Sequence, residues 1–254
     1  MVARPVAIFP NSSALRALRI RFAQFVPATA FPALTTFHLA TVADEVRLVD
    51  LLNFLAGAPL LQDLELTDVS PRKLAATDLS GWRQGRLLFK HLKRLVVADD
   101  IDTGRSEERL TALAEYQCGL LSILSIPPAC VLAVGGVEST AHVADLLVQL
   151  WPKDSGQRCA TQARLTPLGS YREWDQRGLQ HFVVYLSCEG NLEASFSIVA
   201  SNGTMARACL IDGLSTGHAF KTIRRLWIDH GPKWLYTDLP GILTALPCIE
   251  YLHF

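Results

Sequence analysis

The sequence predicts a mixed α/β array in which parallel strands are each returned by a helix. Three observations predict it. A short apolar figure recurs along the chain, most clearly as Leu34-x-x-Phe37-x-Leu39 and Leu61-x-x-Leu64-x-Leu66, 27 residues apart. Alternation within the figure suits a strand with one buried face, since side chains repeat every two residues. Between these copies Leu48, Leu51, Leu52 and Leu55 form one stripe of a helix, with Gly57 placed to cap its end. Strand-then-helix units recurring in one register are the signature of a leucine-rich-repeat solenoid, a horseshoe with strands on the concave face and helices on the convex face.

In chain order, the first unit is Leu15-x-x-Leu18-x-Ile20, followed by those at Leu34 and Leu61 and a fourth at Leu92-x-x-Leu95-x-Val97. A helix is expected over 107–121, capped by Ser106, with Leu110, Leu113, Leu120 and Leu121 facing inward. Pro127 and Pro128 break it. Leu121-x-x-Leu124-x-Ile126 fits the figure too, but the double proline makes a natural entry turn and favours a strand over 131–134. Thr140 then caps a helix carrying Val143, Leu146, Leu147 and Leu150. From Trp151 the pattern loosens. Phe182–Ser187 and Ala194–Ala200 alternate and read as a β-hairpin across Glu189-Gly190-Asn191, either inserted whole or with one strand continuing the main sheet.

The figure returns at Ile223-x-x-Leu226-x-Ile228. A last helix with Leu239, Ile242, Leu243 and Leu246 tolerates Pro240 in its first turn after Asp238, and Ile249-x-x-Leu252-x-Phe254 closes the chain. The expected organisation is a single domain over 1–254, with regular repeats in 15–150 and 223–254 and an irregular stretch over 151–222. Unit lengths vary from roughly 19 to 38 residues and no asparagine ladder is present, which suits an intracellular array.

Composition narrows the function. Lys plus Arg and Asp plus Glu number 24 each, so no global charge favours nucleic acid or an anionic membrane. No apolar stretch approaches the roughly 20 residues of a membrane span, and the opening residues lack a secretory pattern. The six cysteines are too widely spaced for a CxxC pair or a zinc knuckle. Reduced thiols in cytoplasm or nucleus are expected, which leaves the glycosylation triplets at Asn11 and Asn202 idle.

Gly213-Leu-Ser215-Thr-Gly217 spells the nucleophile elbow of serine hydrolases, and Asp229 or Asp238 with His253 would complete the order. Too little chain follows to build the sheet such an enzyme needs, and His253 alternates with apolar strand residues. The seven histidines show no metal-ligand spacing, and Asp99-Asp100-Ile101-Asp102 lacks the spacing of a calcium loop. No metal, no cofactor and no catalysis are expected. The strand phase instead leaves Arg19, His38, Glu65, Val96, Arg225, Trp227 and His253 on the outward, concave face as candidate protein-binding residues. Trp227 with Arg225 is the strongest pair, because such residues dominate interface energetics; packing of Trp227 under a neighbouring loop is the plain alternative.

The wording of the units is also familiar. FPALTTFHLATV, DLLNFLAGAPLLQDLELTDV, FKHLKRLVV, LLSILSIPPACVLAV and LPGILTALPCIEYLHF resemble the repeats of basidiomycete (fungal) F-box/leucine-rich-repeat proteins. The resemblance covers roughly Leu15–Ala144 and Ile223–Phe254. It implies a substrate-binding role in ubiquitin ligation, with a protein partner and an indirect link to a cullin-type ubiquitin ligase. Only 14 residues precede the first repeat, fewer than the about 40–50 of a three-helix F-box, so the recognition half is what carries over. A non-functional or truncated repeat fragment is a second reading. The hydrolase is a third.

Overall fold

The computed structural model describes residues 12–23, 26–42, 48–67, 69, 82, 85–98, 117, 119–127, 129–137, 162–167, 180–188, 191–200, 211, 218–228 and 239–253. They form a mixed α/β structure dominated by parallel strands, with no closed barrel among them. The chain divides into two compact units, one of 1–100 and 106–130, the other of 101–105 and 131–254.

In the first unit β1 (Ala17–Ala23), β2 (Thr36–Val42), β3 (Asp63–Thr67) and β5 (Arg94–Ala98) pair in sequence order, all parallel. The crossover from β2 to β3 carries α1 (Leu48–Ala56). A separate parallel pair joins β4 (Leu87–Leu88) and β6 (Leu124–Ser125). Register aligns the repeat figure across the sheet. Leu18, Phe37, Leu64 and Leu95 form one row, and Ile20, Leu39, Leu66 and Val97 the next. From Phe37 onward these rows are buried. Each such side chain removed from water contributes about 1.5–3 kcal/mol.

The helix stripe lies where the spacing placed it. Leu48, Leu51, Leu52 and Leu55 are buried, joined by Val49 and Phe54. The Phe54 ring lies 4.4 Å from that of Phe37 and 5.5 Å from that of Phe31, centroid to centroid, so one aromatic residue ties helix to strand and to the preceding turn. Gly57 follows the helix for a reason other than a left-handed cap. A Cβ there would stand 3.0 Å from the Ala30 Cα and 3.1 Å from its Cβ.

One turn precedes the strands again and again. The Leu34 N–H donates to the Phe31 carbonyl (3.0 Å), Leu61 to Ala58 (3.2 Å), Leu92 to Phe89 (3.4 Å), Ile223 to Phe220 (3.2 Å) and Ile249 to Leu246 (3.2 Å). Pro32, Pro59 and Pro247 stand second in their turns, where a fixed φ near −65° is suited and no donor is required. The next two N–H groups then share one carbonyl of the preceding unit. Thr35 and Thr36 both donate to Arg16, Gln62 and Asp63 to Thr35, Lys93 and Arg94 to Gln62, and Glu250 and Tyr251 to Arg224. This shared acceptor locks each strand in register with the one before it, and register decides which side chains face the core.

The second unit holds β7 (Val131–Val137), β8 (Gln162–Pro167), β9 (Gln180–Cys188), β10 (Asn191–Ala200), β11 (Arg225–Ile228) and β12 (Tyr251–His253). Their order is β7-β10-β9-β8-β11-β12. The sheet strand after the double proline is β7, as the entry turn favoured; Cys130 N–H donates to the Pro127 carbonyl at 3.0 Å. The hairpin is β9–β10, inserted whole, antiparallel within itself, with β10 parallel to β7 and β9 antiparallel to β8. β8 is a strand that the loosened pattern hid. Its Ala163 and Leu165 align with Leu226 and Ile228 of β11, so it occupies a repeat position with alanine in place of leucine. Between β11 and β12 lies α2 (Leu239–Ala245), which buries Ile242. The expected 140–150 helix and most of 107–121 lie outside the described residues, although Leu120 and Leu121 are helical and buried.

Candidate protein-binding face

Because inward and outward positions alternate, locking the inward rows also arranges the outward ones. In the first unit Arg19, His38, Glu65 and Val96 form one outward row, as the strand phase predicted. A second row holds Ala17, Thr36, Asp63 and Arg94. The rows close on each other by charge. Arg94 donates from Nη1 to Asp63 Oδ1 (2.8 Å) and from Nη2 to Glu65 Oε2 (3.0 Å), and His38 Nε2 lies 3.3 Å from Asp63 Oδ2. Partial burial works against the Arg94 cation. The hydrogen bonds and charges of Asp63 and Glu65 outweigh it, so its pKa stands above the ordinary arginine value. Arg19 is exposed and forms no ion pair with any described residue.

The second unit repeats the geometry with different chemistry. Leu226 and Ile228 are fully buried, so Arg225 and Trp227 face outward. Arg225 is in register with Tyr251, and Trp227 with His253. The Arg225 guanidinium carbon lies 5.2 Å from the Tyr251 ring centroid, a cation–π distance. The Trp227 and His253 rings stack 5.0 Å apart at an interplanar angle of 8°. Trp227 is half-buried, with the His253 ring of the neighbouring strand stacked on it. On β8, Arg164 stands in register with Trp227 and Gln162 with Arg225.

All seven residues expected on the outward face occupy outward positions. Two sets of them come together, 38 with 65 through Asp63 and Arg94, and 227 with 253 by ring stacking on the strand pair where Arg225 covers Tyr251. Sequence reading missed Asp63, Arg94 and Tyr251. The signal was present, since each lies two residues before a predicted position and so shares its face.

The remaining motifs do not gather into a centre. The Gly213–Gly217 elbow, Asp229 and Asp238 lie outside the described residues, while His253 spends one ring face on Trp227. Among the described residues no three His, Cys, Asp or Glu side chains group to hold a metal ion, and no helix is long and apolar enough to cross a membrane. No family model, curated protein or solved structure matches the chain.

Proposed function

We propose that this chain is a protein-recognition module, a leucine-rich-repeat horseshoe whose outward strand face is the concave contact surface. It resembles the substrate-binding half of an F-box/leucine-rich-repeat ubiquitin-ligase subunit and performs no catalysis of its own. The observation that supports this reading best is the outward ladder of Arg225, Trp227, Tyr251 and His253 on a hydrogen-bonded strand pair. Residues of these types are the ones on which protein interfaces concentrate their energy, and a locked register spares the ordering cost of presenting them. Strands stepped about 4.8 Å apart repeat the contact for an elongated partner.

Proximity labelling in the native cell tests the reading, comparing the chain with an Arg225→Ala, Trp227→Ala, His253→Ala variant. A set of proteins enriched by the chain and lost with the variant is the expected result. Co-enrichment of cullin and adaptor subunits would tie the module to a ligase. An identical set retained by the variant would show that this face is not the recognition surface.

A further inference from the structure

We infer that the outward face of β8, β11 and β12 takes an acidic segment of a partner protein, with Arg225 as the charge contact and Trp227 as the apolar anchor. The inference rests on the recognition reading above and names the chemistry of the partner.

The four strands β8, β9, β11 and β12 contain no Asp or Glu, whereas Arg225 and His253 both stand at outward positions. The whole chain is formally neutral, so this is a matter of placement, not of total charge. Arg225 is exposed and forms no ion pair with any described residue; what it covers is the Tyr251 ring. Among the described residues of β11, β12 and the turn before β12, the one carboxylate is Glu250, which lies out of phase with the outward rows and is engaged by Arg224 at 3.3 Å. In the first unit, by contrast, Asp63 and Glu65 already meet Arg94 and His38. A guanidinium held by an aromatic face keeps its donor edge available, and a carboxylate matches that edge with two parallel hydrogen bonds. Beside it, the ring of Trp227 offers apolar area that loses little conformational freedom on binding.

A nucleic-acid strand would also bring negative charge, but it needs free aromatic faces for its bases and a run of cations along its backbone. Trp227 has one face against His253, and Tyr251 has one against Arg225. Carboxylates on a protein segment need neither.

The test selects short random displayed peptides on the full chain and scores the charge of those enriched. Arg225 and Trp227 are then changed separately as Arg225→Glu and Trp227→Ala, with circular dichroism confirming that each variant folds. Enriched peptides rich in Asp and Glu are expected. Their affinity should fall at least roughly tenfold with Arg225→Glu, and weaken with added salt. Replacing the peptide's Glu by Lys should restore binding to the Arg225→Glu variant. Enriched peptides without acidic bias would overturn the inference while leaving the recognition reading standing. So would acidic peptides indifferent to both substitutions, which would bind elsewhere. Absence of any enriched peptide counts against it as well. Oligothymidylate binding that is lost with Arg225→Glu would assign the face to nucleic acid instead. The labelling experiment above scores recognition without regard to charge, so the two readings fail separately.

Discussion

The two outward faces share one geometry and differ in what they leave unsatisfied. In the first unit, Asp63, Glu65, Arg94 and His38 form a network that answers its own charges. In the second, Arg225 rests on Tyr251 and Trp227 on His253, with no carboxylate in the strands beneath them. Strand register brings side chains into rows in both cases. Whether a row becomes a self-contained brace or an open contact surface then depends on which charges stand next to each other. A paired row contributes a little to stability and offers a partner little; an unpaired row does the reverse.

The comparison breaks first if its support is removed. Phe54→Ala should destabilise the chain by about 3–5 kcal/mol, because a buried ring touching Phe31 and Phe37 leaves a cavity between helix and strands. A urea unfolding midpoint checks this, and a shift of less than about 1 kcal/mol would contradict the packing. Gly57→Ala should cost about 1–3 kcal/mol, since the new methyl group would press on Ala30. Phe22 offers a change in the other direction. It is 79 % exposed and holds φ at +56°, skipped in the pairing of β1 with β2 between Arg21 and Ala23. Phe22→Asn should stabilise by about 1 kcal/mol, as asparagine tolerates the left-handed region, and thermal unfolding reads the gain.

The sharper tests act on the faces themselves. Asp63→Ala should cost at most about 1 kcal/mol, because the network is solvent-accessible, and the cost should shrink as salt is raised. In partner capture this variant should match the unchanged chain. Arg225→Glu should leave unfolding within about 0.5 kcal/mol while abolishing capture. If instead Asp63→Ala reduces capture and Arg225→Glu does not, the assignment of brace and contact surface is reversed.

Much of this could be read from particular residues. The spacing of Leu34, Phe37 and Leu39 against Leu61, Leu64 and Leu66 predicted strands in a shared register, and Leu48, Leu51, Leu52 and Leu55 predicted α1, because burial of a strand face or a helix stripe requires those periods. The same alternation placed Arg225, Trp227 and His253 outward. β8 escaped because Ala163 is too small to mark a repeat position; in the sheet it is buried in register between Leu226 and Leu186.

By itself, then, the sequence determined the strand and helix periods, the entry turns and the face on which each residue stands, since all of these follow from local chain geometry. Tertiary structure alone decided that the hairpin stands between β7 and β8, and that Gly57 makes room for Ala30. It also decided that Arg94 is answered by two carboxylates while Arg225 meets a ring. Those outcomes depend on which strand lies beside which, and neighbours across a sheet are chosen by packing between residues distant in the chain.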